Sequence, residues 1–206
     1  QYFELLNNQF PKFFYNNHTC FCSKFLISKI ETYIEQGKEN KLYDENTDIF
    51  EKYSPEKTDI PNYVNYMKYL AASAFYVRKY PEAAKILSEL INDIGFKHFP
   101  HTEIEIKLFL ALSYSMCNKY ELAWNVLRSV TRKISEMNSN GSYENAKLFA
   151  KILNLQLSSA SQKGNIAKKI LPLKNQFDIL NQGDKRMLEY IKLDEKFIEQ
   201  LGKPIK

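Results

Sequence analysis

Three side chains of metal-binding type crowd one short stretch near the start of the chain, His18-Thr19-Cys20-Phe21-Cys22. Zinc sites need four ligands, usually from two knuckles of C-x-x-C spacing, and no second cluster exists. No metal is therefore expected. His98-Phe99-Pro100-His101 is better explained as a proline-bearing loop between helices. Cys117 lies near the end of an apolar helix with no histidine close in sequence to activate it, and reads as a small buried hydrophobe. There is no G-x-S-x-G, glycine-rich phosphate loop, H-E-x-x-H or paired-acid motif. The sequence thus predicts no catalytic residue, no metal and no cofactor.

The remaining chemistry is charge. The chain carries 29 basic and 24 acidic residues, net +5. Residues 1–60 hold 7 basic and 10 acidic, residues 61–146 hold 10 and 8, and residues 147–206 hold 12 and 6. In the last third Lys163, Lys168, Lys169, Lys174, Lys185 and Arg186 could contact phosphates. However, Lys168 and Lys169 flank the apolar stripe Ile166, Ile170 and Leu173, as an ordinary solvated helix face would. Only 4 of the basic residues are Arg, the side chain that nucleic-acid sites favour for bidentate contacts. A nucleic-acid-binding array using this basic third is the alternative reading, and the disfavoured one.

Residues such as these must be positioned by helices. With 6 Gly and 7 Pro in 206 residues, the chain lacks the turn residues of an all-β fold. No run approaches a membrane span; the richest, Leu108 to Leu112, stops at Ser113. Three cysteines, two of them a residue apart, do not form the framework of a stapled secreted domain, so a reducing cytoplasm is expected. A start at Gln1 without basic and apolar leader regions suggests a fragment or processed form.

An internal repeat decides the architecture. Leu70-Ala71, Lys79-Tyr80, Ala83 and Leu87 recur forty residues on as Leu110-Ala111, Lys119-Tyr120, Ala123 and Leu127. Lys147-Leu148-Phe149-Ala150 continues the series from Lys107-Leu108-Phe109-Leu110. Each unit reads as two helices. Ala83, Ile86, Leu87, Leu90, Ile91 and Ile94 make one stripe at helical spacing, and Ala123, Val126, Leu127, Val130 and Ile134 repeat it. Pro81 suits a first helical turn, and Thr102-Glu103-Ile104-Glu105 predicts a capping box. After Gly141-Ser142 a third pair follows, with Pro172 kinking or delaying its second helix. Gly183-Asp184 then starts a last helix carrying Met187, Leu188, Ile191 and Ile198. Near the N-terminus, Phe21, Phe25, Leu26, Ile30, Tyr33 and Ile34 predict a helix ending near Gly37. Residues 38–60 read as an acid-rich connection with one helical turn near Ile49-Phe50.

These pairs resemble the tetratricopeptide (TPR) repeat, on Leu70-Ala71 with Ala83, and on Leu110-Ala111 with Tyr114 and Ala123. The period is forty rather than thirty-four, and Arg78 and Asn118 stand where the family places a turn glycine. The stretch Glu103 to Lys133 is similar to uncharacterised TPR-like proteins of Bacteroidetes-type bacteria. The resemblance implies an all-α, TPR-like right-handed α-solenoid of antiparallel helix pairs over residues 61–206, with a terminal helix. Residues 1–60 precede it as a helical N-terminal segment with an acidic connection. It also implies a non-catalytic protein–protein interaction scaffold that binds a peptide or helix in a concave groove lined by first helices. The repeat register puts Asn65, Lys68, Tyr69, Ala72 and Tyr76 on that face of the first unit. In the second it puts Glu105, Leu108, Phe109, Leu112 and Met116 there, and in the third Asn145, Phe149 and Ile152. Asn65, Lys68, Tyr69, Tyr76, Phe109 and Met116 are the expected partner-binding residues, against the competing reading that Leu108, Phe109 and Leu112 are simply core. The occupant would be a protein or peptide, the chain's own N-terminal or flanking segments, or a second copy.

Overall fold

The apolar stripes fold as helices, and small residues set how closely those helices pair. The computed structural model describes residues 21–46, 53–137, 141–158, 166–182 and 186–201. Among these residues the regular structure is entirely helical, and none of the helices is long and apolar enough to cross a membrane. The chain divides into two compact units, Gln1–Gly95 and Phe96–Lys206.

The first unit contains α1 (Phe21–Glu35), α2 (Ile60–Tyr76) and α3 (Tyr80–Asp93). Helix α1 stops at Gly37, whose φ of 65° lets the Lys38 amide donate back to the Tyr33 carbonyl at 2.8 Å. It packs along α2, and α2 pairs with α3. The N-terminal helix therefore packs with the first helix pair, within the unit that ends at Gly95. The expected turn around Ile49-Phe50 lies outside the described residues.

The second unit contains α4 (Pro100–Met116), α5 (Tyr120–Met137), α6 (Glu144–Leu157), α7 (Ile166–Leu180) and α8 (Glu195–Leu201). Antiparallel pairs α4·α5 and α6·α7 form its body, with α6 also packed on α4 and α5. Pro61, Pro81 and Pro100 all sit in first turns, where their missing amide costs no helical bond. Pro172 lies inside α7, which continues through it.

Two inter-helix turns that stand forty residues apart share their local geometry. Arg78 and Asn118 both adopt φ 61°, the left-handed conformation usually left to glycine. In both turns the following lysine amide donates five residues back, Lys79 to Ala74 and Lys119 to Tyr114, each at 2.9 Å. Ala71, Ala83, Ala111 and Ala123 are all buried, so their small side chains admit close helix approach within each pair.

Two expectations fail for the same reason: a side chain found a better partner far away in the chain. Thr102 caps nothing. Helix α4 begins at Pro100, Glu103 pairs with Lys107 at 2.6 Å and Lys133 at 3.3 Å, and Glu105 turns inward. The last helix is also shorter than expected. It begins only at Glu195, where Asp194 accepts the Phe197 amide at 2.9 Å. Met187–Ile191 instead forms an irregular strap. Asn181 Oδ1 takes the Met187 amide at 2.8 Å, Glu105 Oε1 takes the Leu188 amide at 2.9 Å, and Leu188 sits at φ 58°.

Candidate functional site

The six expected partner-binding residues do not form open faces. In the first unit Tyr69 is 0% exposed, whereas Asn65, Lys68 and Tyr76 are partly exposed. In the second, Phe109 is 0% exposed and Met116 partly exposed. Tyr69 and Phe109 are therefore core, as are Leu108 and Leu112, and the groove reading is corrected at those positions. Asn145, Phe149 and Ile152 are buried too.

Helix α1 packs along α2, and its Tyr33 lies close enough to act on the Tyr69 hydroxyl. Phe25, Leu26 and Ile30 of α1 are buried, and so is Lys29, which is 1% exposed. Lys29 Nζ meets Glu45 at 2.5 Å, and the Tyr33 hydroxyl, one turn along, donates to the same carboxylate at 2.9 Å. Asn46 Nδ2 donates to Ser73 Oγ at 2.7 Å, fixing the acidic connection on α2. The Tyr69 hydroxyl points into this cluster with no hydrogen-bond partner. Burial above all, then Glu45 and Tyr33, raises its pKa. A buried hydroxyl without a partner is a net cost. Tyr69→Phe is accordingly expected to raise unfolding stability by about 1 kcal/mol; a loss of comparable size in urea denaturation would show that the hydroxyl is satisfied after all.

What covers Phe109 is the strap, whose Tyr190 ring lies 5.4 Å away at 56°. Tyr190 is buried with its hydroxyl beside Glu105. Burial first, and then that carboxylate, hold the phenol well above its ordinary value. Asn181 anchors the strap from the other side, giving Nδ2 to the Met187 carbonyl at 2.9 Å and receiving Asn145 Nδ2 on Oδ1 at 2.8 Å.

Register now connects these contacts. Asn65, Glu105 and Asn145 stand forty residues apart on successive first helices, and each reaches a segment outside its own helix pair or at that pair's end. Asn65 Nδ2 lies 3.4 Å from Ser23 Oγ of α1, Glu105 holds the strap, and Asn145 holds Asn181.

No family model, curated protein or solved structure matches the chain. The site must therefore be read from its own geometry.

Among the described residues no three His, Cys, Asp or Glu side chains are grouped to hold a metal. His18 and Cys20 lie outside those residues. Cys117 is a free thiol, partly exposed at the end of α4, with Sγ 3.4 Å from the Tyr114 carbonyl. Of the basic cluster, Lys174 pairs with Asp178 at 2.5 Å and Arg186 with Glu189 at 2.6 Å, whereas Lys163 and Lys185 lie outside the described residues. A concavity of about 400 Å³ opens between α5 and α6, lined by Thr131, Ile134, Ser135, Lys147, Ala150, Lys151 and Asn154. Sequence reasoning missed it, along with Lys29, Glu45 and Tyr190. Helical phase could have found Lys147, Lys151 and Asn154 on one side of α6, but not the α5 residues that face them.

Proposed function

We propose that this protein is a non-catalytic protein–protein interaction scaffold of TPR-like, right-handed α-solenoid type, working in a bacterial cytoplasm without a cofactor. One observation carries the reading: first-helix positions forty residues apart each contact other parts of the chain, Asn65 the added helix α1, Glu105 the strap and Asn145 the end of its own helix pair. Arrays of helix pairs bind partners through surfaces of this kind. Here α1 and the strap are occupants supplied by the chain itself, which leaves the helix ends around Tyr76 and Met116 as the accessible parts of those faces.

Photo-crosslinking side chains placed at Tyr76 and Met116, with Asn125 on the opposite helix of its pair as reference, test this in living cells. A defined protein captured at the first two positions and not at the third is expected. Capture no greater than at Asn125 would refute these first-helix faces as the scaffold's binding surface.

A further inference from the structure

We propose that the groove between α5 and α6 binds an extended acidic peptide segment. The inference rests on the scaffold reading and names the partner's chemistry.

The groove has a built polarity. Its floor is Ile134 and Ala150, both buried. One wall carries Lys147 and Lys151, which differ in their partners. Lys133, Lys147, Lys174 and Lys192 all meet carboxylates within 4 Å. Among the described residues Lys151 has no such partner, although it is exposed at the groove, and Asn154 beside it has an uncommitted side-chain amide. Arg128, two turns before Ser135 on the same side of α5, is likewise exposed and without an ion pair. Lys151 in the groove and Arg128 on the neighbouring surface of α5 therefore present positive charge that the fold leaves unneutralised, while Lys147 is shared with Glu144.

The opposite wall selects what carries the neutralising charge. Thr131 Oγ1 donates to the Leu127 carbonyl at 2.8 Å and Ser135 Oγ to the Thr131 carbonyl at 2.9 Å. Their hydrogens are committed, so both oxygens offer lone pairs to the groove. Such acceptors suit the N–H groups that a peptide backbone carries beside its carboxylates and a sugar–phosphate backbone lacks, which favours an acidic peptide over a nucleic acid. Spacing agrees. Lys147 and Lys151 are one turn apart, about 6 Å along α6, and alternate side chains of an extended strand recur at about 6.7 Å. Two acids separated by one residue would each meet a lysine, one at Lys151 and the other at Lys147 in competition with Glu144, while the backbone between them donates to Thr131 or Ser135.

A labelled, end-blocked peptide of alternating glutamate and valine, titrated against the full chain by fluorescence anisotropy, provides the test. Binding is expected to weaken about tenfold or more for Lys151→Glu and for the matching glutamine–valine peptide. Lys196→Glu changes net charge equally at an exposed site on α8 and should leave affinity unaltered. No binding, equal affinity for the glutamine peptide, an equal loss from Lys196→Glu, or tighter binding of an oligothymidylate would each overturn the proposal. Protein capture at Tyr76 or Met116 without acidic-peptide binding would refute the groove alone, and the converse result would refute the first-helix faces alone.

Discussion

Glu45→Ala should cost about 3 kcal/mol of unfolding stability, whereas Lys29→Met should cost less than about 1 kcal/mol, although the two remove the same ion pair. The asymmetry comes from burial. Glu45 is 34% exposed, so without Lys29 its carboxylate still reaches water and keeps the Tyr33 hydroxyl. Lys29 is 1% exposed, and without Glu45 its ammonium is stranded beneath α1. To reach water it must pull α1 away from α2, which costs more than a surface pair is worth. Urea unfolding of both single variants and the double variant measures this. Near-equal losses would mean that the lysine escapes to solvent when its partner is removed. In the double variant, methionine should recover most of the loss, because no buried charge then remains.

Phe109→Ala is expected to cost about 3–5 kcal/mol, the range for emptying a buried aromatic site. The ring is fully buried and meets Tyr190 of the strap at 5.4 Å. Its removal should also speed hydrogen exchange at the amides of Met187 and Leu188, because the surface on which the strap rests is lost. A residue on an open groove would behave otherwise, with an effect within about 0.5 kcal/mol. Denaturation and exchange on the same variant thus separate a core residue from a partner-binding one. A loss below about 1 kcal/mol would restore Phe109 to an accessible face.

Helical periodicity made most of the fold legible. The stripes from Ala83 and from Ala123 lie on helices that bury Ala83, Leu87 and Leu90, and Ala123, Leu127, Val130 and Ile134, while Ile86, Ile91 and Val126 stay partly exposed, and Arg78 and Asn118 adopt a backbone usually left to glycine. Phe21 through Ile34 forms a helix ending before Gly37. Side-chain partnerships between residues far apart were not legible. Glu105 fits a capping box locally, and only the arrival of Leu188 from 83 residues away makes it a strap anchor. Met187 and Leu188 have helical spacing with Ile191, but their amides are claimed by Asn181 and Glu105, and that competition is invisible to periodicity. Glu45 sits in an acid-rich stretch that reads as connection, and its importance comes from a lysine on α1. The α5–α6 groove escaped notice because it is a property of two helices facing each other.

The two covers differ in when the ribosome delivers them. Helix α1 is synthesised before α2, so the face carrying Tyr69 finds its cover already made. The strap follows α4 by some seventy residues, all of which must emerge before Tyr190 can close over Phe109. Closing so long a loop also carries more entropy loss than forming a local helix pair. During translation the α4 face is therefore a transiently bare apolar surface, and a chaperone that meets this protein on the ribosome would find it there.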